Sequence, residues 1–160
     1  MSTILKEKNH VETYLEKKVV VIAGGGKNPG GLIARDFAAR GVSGIAINTV
    51  GMVLKKPIVE TTEDEYDRMF AANTKSAFFF LQEAAKNLND NGKICTIVTS
   101  LLGAFTGLYS PYAGSKAAVD QFTRGAAKEL GSRGISVTAV APGRTDRHQR
   151  YCSTRSVSCD

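Results

Sequence analysis

Residues 17–40 read KKVVVIAGGGKNPGGLIARDFAAR, and this stretch decides the fold. Lys17 to Ala23 form a continuous apolar, β-branched run, the composition of a strand buried on both faces of a parallel sheet. Glycines stand at 24, 25 and 26, followed by Lys27-Asn28-Pro29-Gly30-Gly31. Next comes LIARDFAAR, in which Leu32, Ile33 and Phe37 keep helical spacing. A glycine loop between strand and helix lets the backbone approach a pyrophosphate, and the helix N-terminus offers free N–H groups and a positive dipole end. Glycines alone carry little weight, because turns use them for positive φ anyway. The flanking strand and helix supply the weight.

Outward from there, strands and helices alternate. Gly44 to Val50 (GIAINTV) reads as a second buried strand ending at Gly51. Thr61 or Thr62, with acids three residues on, opens a helix by a capping box through EDEYDRMFAAN. The stretch TKSAFFFLQEAAKNL is a further helix, stopped by Asn89-Asp90-Asn91-Gly92. KICTIVT is a third strand. A long helix from about Pro111 to Arg133 carries Val119, Phe122, Ala126 and Leu130 as its apolar stripe, Gly134 ends it, and ISVTAVA is a fourth strand before Pro142-Gly143. This alternation implies an α/β fold with an open, mostly parallel sheet. Residues 17–143 form the folded domain, 1–16 an N-terminal extension, and 144–160, without periodicity and rich in arginine, a disordered tail.

Composition bounds the rest. Of 160 residues, 42% are hydrophobic and 22% charged, which suits one globular domain. No apolar run approaches the ~20 residues that span a bilayer, and the N-terminus lacks a signal's apolar centre, so the expectation is a cytoplasmic protein with no membrane partner. The formal charge of +6 is spread along the chain without interleaved aromatics, so no nucleic-acid partner is expected. Three cysteines and two histidines show no ligand spacing, so no metal site is expected, and Cys95 reads as a small apolar residue of a buried strand.

The stretch AGGGKNPGGLIA resembles the TGxxxGxG loop of the short-chain dehydrogenase/reductase family, with Gly24 and Gly30 as the outer glycines, Asn28 in place of the middle one and Ala23 in place of the threonine. The resemblance continues in order along residues 17 to 143. Asn48-Thr49-Val50-Gly51 is similar to the family's NNAG, Asn73 falls at its helical Asn, and Ser100 ends a strand as its serine does. Tyr112-Ala113-Gly114-Ser115-Lys116 matches YxxxK, and Pro142-Gly143 the PG turn over the nicotinamide. The fold implied is Rossmann-like and doubly wound. The activity implied is that of a carbonyl reductase, a nicotinamide-dependent oxidoreductase acting on CH–OH groups, with a small carbonyl or alcohol as substrate.

The same resemblance implies the roles. Tyr112 and Lys116, four apart, share a helix face. A free tyrosine, with a pKa near ~10, exchanges protons poorly at neutral pH, and a nearby cation favours the phenolate. Tyr112 would then protonate the carbonyl oxygen, Lys116 hold the nicotinamide ribose, Ser100 (or the adjacent Thr99) the substrate oxygen, and Asn73 a water leading from Lys116 to solvent. Gly24, Lys27, Asn28, Gly30, Asn48, Gly51, Pro142 and Gly143, with Tyr112 and Lys116, would bind the cofactor. NADP(H) is expected over NAD(H), because Lys27 stands where NADP-preferring members carry a base, although a solvated loop lysine reads as well.

The chain also departs from the family. Between Asp36 and Glu60 there is no acidic residue, whereas the fold expects a ribose-reading acid about 20 residues past the glycines. ARGVSG runs directly into IAINTVG, as if the family's second and third strands were lacking. In the intact order 3-2-1-4-5-6, either the first helix relocates to the other face or the following strand takes the vacant slot beside strand one. After Gly143 the tail replaces the substrate-covering segment, as an altered reading frame or splice junction would produce. A catalytically silent member that pairs with a full-length relative, or a homo-oligomer, through helices around 74–88 and 111–133 is the second expectation.

Overall fold

The computed structural model describes residues 18–24, 42–143 and 154–155. The N-terminal extension, the glycine loop beyond Gly24 with Lys27, Asn28 and Gly30, and the helix expected over LIARDFAAR lie outside the described residues.

Strands β1 (Lys18–Ala23), β2 (Val42–Asn48), β3 (Lys93–Ile97) and β4 (Ser136–Val140) lie side by side in that order, all parallel. This is an open, mostly parallel α/β sheet of Rossmann type. Because β2 lies between β1 and β3, it has not moved to the vacant slot on the far side of β1. The order is 1-4-5-6 in terms of the intact fold. Strand β5 (Thr154–Arg155) pairs antiparallel with β4, Arg155 opposite Ala139 and Thr154 opposite Val140. That corrects the expectation of a wholly disordered 144–160 tail at these two residues, which occupy backbone groups that an open edge of β4 would leave unpaired. The rest of the tail lies outside the described residues.

β2 starts and stops two residues before the expected Gly44–Val50. Two local bonds explain its end: Asn48 Oδ1 accepts the Val50 N–H at 2.9 Å, and the Thr49 N–H donates to Ala23 O at 2.9 Å. β3 likewise stops at Ile97, two short of the expected Thr99.

Helix α1 (Glu63–Phe70) is opened by Thr62, whose hydroxyl accepts from Glu65 N while Glu65 returns a bond to the Thr62 N–H. The hydroxyl of Thr61 instead donates to Pro57 O at 3.0 Å, which decides between the two threonines. Ala71–Lys75 form a π-helical turn, and α2 (Ser76–Asn87) continues beyond it. Helix α3 (Ser110–Leu130) has Pro111 in its first turn, where a missing N–H is harmless. A 3-10 turn over Gly131–Arg133 follows, closed by Gly134 at φ 66°.

Helices α2 and α3 cover one face of the sheet, where Leu81, Ala84, Ala127 and Leu130 meet Ala46, Ile94, Ile135 and Val137. Each large side chain so buried stabilises the fold by roughly 1.5–3 kcal/mol. Along the paired row Val21–Ala46–Ile94–Val137, exposure runs 57, 2, 1 and 3%, so among the described residues the helical layer reaches as far as β2. On the opposite face Cys95 and Ile97 are only half-buried, which corrects the reading of Cys95 as a residue of a buried strand.

Candidate active site

β2 ends at Asn48, β3 leads through Val98 into Thr99 and Ser100, and β4 leads into Pro142-Gly143; open α/β sheets bind ligands outside these ends. Asn48 closes β2 and is 3% exposed, its carboxamide oxygen turning the chain back on Val50. Gly51 and Met52 follow. After β3, Thr99 is buried and its hydroxyl oxygen caps the 3-10 turn Ser100–Leu102 by accepting from Leu101 N at 3.3 Å. Ser100 is half-buried, its N–H donates to Pro142 O at 3.1 Å, and its Oγ faces Gly143, where an added Cβ would stand 3.2 Å away. Thr99 thus lends its hydroxyl oxygen to the cap, while Ser100 Oγ stands against Gly143. Pro142 and Gly143 themselves are exposed.

From α3 come Tyr112 and Lys116, one helical turn apart. Lys116 is 4% exposed, and its ammonium donates to Ile97 O at 2.9 Å and Val50 O at 3.4 Å, the ends of β3 and of the β2 loop. Burial pushes its pKa down, because desolvation penalises the charged form. Two carbonyls partly offset that cost. A lysine carries three donors, so one remains beyond these two described partners. Gly51 lies against the ammonium: a Cβ there would come within 2.9 Å of Lys116 Nζ and 3.2 Å of Asn73 Oδ1. Tyr112 is half-buried and packs edge-on with Tyr109 at 6.3 Å between centroids, and the Lys55 ammonium stands 5.8 Å from the Tyr109 ring.

Asn73 sits in the π-turn at 0% exposure. Its Oδ1 accepts the Met52 N–H at 2.7 Å, and its Nδ2 donates to Met52 O and to Ser115 Oγ, both at 2.9 Å. The extra residue of a π-turn shifts the side chains after it around the helix axis. Such turns recur at functional sites.

The structure therefore brings Asn73, Lys116 and Gly51 together at the β2 loop and Ser100 and Gly143 together beyond β3 and β4, with Tyr112 on the first turn of the same helix as Lys116. Gly24 stands one strand away, at φ 80°, close enough to the β2 loop that a Cβ would meet Thr49 Oγ1 at 2.6 Å. Two participants were not singled out from sequence. Thr49 donates its hydroxyl to Ala23 O at 2.8 Å and pins β1 to the site loop. Ser115, 0% exposed, takes the Asn73 bond; a small polar residue on the buried face of an amphipathic helix was the available signal. Among the described residues no group of His, Cys, Asp and Glu could hold a metal, and no helix is long and apolar enough to cross a membrane.

Comparison with known proteins places this geometry. A family model described as enoyl-(acyl carrier protein) reductase matches residues 33–154. The chain is 43% identical over 101 residues to the hydroxynaphthalene reductase-like protein Arp2 of Metarhizium brunneum, a match covering 62% of this chain and 38% of that protein. It is 40% identical over 102 residues to the short chain dehydrogenase/reductase AacuN of Aspergillus aculeatus, covering 63% and 39%. The match thus spans less than two-fifths of the length of these curated relatives. Among solved structures, a Burkholderia cenocepacia protein assigned as a dehydrogenase, with bound NADP, aligns with a TM-score of 0.77 at 46% identity, over 84% of this chain and 72% of that one. A blue fluorescent protein from a metagenomic library, in complex with NADPH, aligns with a TM-score of 0.74 at 25% identity, over 82% and 76%. The chain belongs to the short-chain dehydrogenase/reductase family.

Proposed function

We propose that the chain is an NAD(P)(H)-dependent oxidoreductase that interconverts a ketone and a secondary alcohol, with Tyr112 as the general acid and base. The observation that carries this reading is the Lys116 ammonium, buried between the ends of β3 and the β2 loop beside the bare Cα of Gly51. A buried cation with one donor to spare, in reach of an open backbone, fits a ribose hydroxyl. Gly51, Pro142 and Gly143 would line the nicotinamide end of the cofactor, and Asn48 would hold the loop that faces it. Gly24, with Lys27, Asn28 and Gly30, would serve the phosphates. When bound, the dinucleotide supplies or accepts the hydride. The chain's own residues do the rest: Ser100 Oγ orients the substrate oxygen, Tyr112 Oη gives that oxygen its proton, and Asn73 holds the water path behind Lys116.

Preference for NADP(H) rests on Lys27 and on the NADP and NADPH held by the two neighbours above. Titration calorimetry of the purified chain with NADPH, and with NADH alongside, tests the reading. Micromolar binding with NADPH favoured is the expected result; a folded sample that binds neither removes the cofactor site and the function with it.

One observation favours a second reading, a silent member that associates with a full-length relative. Phe78 and Phe79 on α2 are 45 and 48% exposed, and Phe78 packs edge-on with Phe122 of α3 at 5.3 Å, so an apolar aromatic patch faces outward. Under that reading the lone chain runs on size exclusion as an aggregate or loose monomer, and a compact, cooperatively unfolding dimer counts against it.

A further inference from the structure

From the polarity of the buried hydrogen bonds we infer that Ser115 is a positioning residue, bolting the Tyr112 turn of α3 to the Val50–Met52 segment through Asn73. The inference rests on the function proposed above for its catalytic consequence, and on geometry alone for the bolt itself.

Ser115 Oγ lies 2.7 Å from Tyr112 O and 2.9 Å from Asn73 Nδ2. A hydroxyl has one proton and can accept from others. Tyr112 O only accepts and Asn73 Nδ2 only donates, so the Ser115 proton must go to Tyr112 and its lone pair to Asn73. That leaves the Asn73 carboxamide one orientation. Its Oδ1 takes the Met52 N–H and its other Nδ2 hydrogen the Met52 carbonyl. A flipped amide would set Nδ2 against the Met52 N–H and Oδ1 against the Met52 carbonyl, two mismatches in a buried place. One direction of donation therefore runs from the Met52 N–H through Asn73 and Ser115 to Tyr112 O. Thr74 Oγ1 adds a bond from the π-turn to Ser115 O at 3.0 Å.

Three segments that the proposed chemistry must hold in register are joined through this hydroxyl and the Asn73 carboxamide. They are the β2 loop beside Lys116, the π-turn, and the first turn of α3. Ser115 and Asn73 are both 0% exposed, so water cannot replace a lost partner without rearrangement.

The test uses the full chain, with Ser115→Ala and Ser115→Cys; the latter keeps the side-chain shape but bonds weakly, and it serves if the alanine variant does not fold. Amide hydrogen exchange is followed residue by residue. Protection of the Met52 N–H should fall selectively, by about tenfold in Ser115→Ala, while Ile94 and Val137 in the core keep theirs. Ketone reduction should show kcat reduced by about tenfold with KM within about twofold, and Ser115→Cys should fall between. Unchanged Met52 protection, or an equal loss at every amide, would overturn the bolt. A fall in KM-linked affinity alone would overturn the positioning role. If the unaltered chain turns over no ketone, the proposed function fails by itself and the exchange data still decide whether Ser115 holds the Met52 segment.

Discussion

Where the strands begin, Ile94, Ile135 and Val137 pack with Ala84, Leu88 and Leu130; where they finish, a small apolar cluster of Ala77, Val98 and Val119 is joined by buried Asn48, Asn73, Thr99, Ser115 and Lys116. The buried interior of the first end is hydrocarbon, whereas that of the second adds groups that each need a partner. Among the described residues none of the fully buried side-chain polar atoms lacks one. Hydrocarbon tolerates approximate packing with a graded loss, whereas a polar network loses its one consistent arrangement when any member goes. The beginning of the sheet is thus where stability is concentrated, and the end is where positions are specified at some cost in stability.

Substitutions at the two ends should separate these roles. The largest effect belongs to Tyr112→Phe, which removes only the phenol oxygen of a half-buried side chain; ketone-dependent NADPH oxidation should drop by about 10³-fold with the melting temperature unchanged. Turnover that survives would sink the mechanism. At the opposite end Ile94→Ala, at 1% exposure, should cost about 2–5 kcal/mol of stability by denaturant titration and leave kcat/KM per folded molecule alone. A change in kcat/KM of the folded fraction would break the division between the ends.

Gly51→Ala should cross the two categories. Its Cβ would stand 2.9 Å from Lys116 Nζ, so the ammonium must give way; a stability loss of about 1–3 kcal/mol together with weaker NADPH binding is expected from calorimetry. Wild-type affinity in that variant would mean that the lysine does not serve the cofactor. The smallest effect lies outside both ends, at the Lys56–Glu65 pair that fastens the site loop to α1 at 2.9 Å. The Thr62 backbone N–H and then the Lys56 ammonium hold the Glu65 carboxyl down at about 2. A lowered carboxyl pKa gives stability that is present above the ordinary carboxylate range and lost as pH falls toward about 2. Glu65→Gln should therefore melt lower at neutral pH, and its gap to the wild type should close on acidification from about 4.5 to about 2.

Much of this division was legible in the residues themselves. The apolar runs located all four parallel strands, and the strand-end positions of Asn48, Ser100 and Pro142-Gly143 followed from the family's order of motifs. What escaped was local hydrogen bonding. β2 and β3 stop early because side chains such as Asn48 and caps such as Thr99 take over the backbone, and periodicity does not register such competition. The π-turn escaped for a related reason: one inserted residue leaves the apolar spacing of α1 and α2 each intact, so two helices are visible but not the single-turn hinge between them. Ser115 escaped because its importance lies in Asn73, a residue 42 positions away. β1 posed the opposite problem. Its composition promised a strand buried on both faces, and composition cannot register that among the described residues the helical layer stops one strand earlier, with Val21 exposed.

The paired turns at the hydrocarbon end carry a further implication. Asn91 (φ 62°) and Gly134 (φ 66°) are both left-handed, the Asn91 N–H donates to Arg133 O, and any Cβ on Gly134 would strike Asn91 Oδ1. Each turn is thus the mould of the other. Over evolutionary time positions 91 and 134 should covary, with a side chain admitted at 134 only where 91 has shrunk, so that drift in one loop is recorded in a loop more than forty residues away.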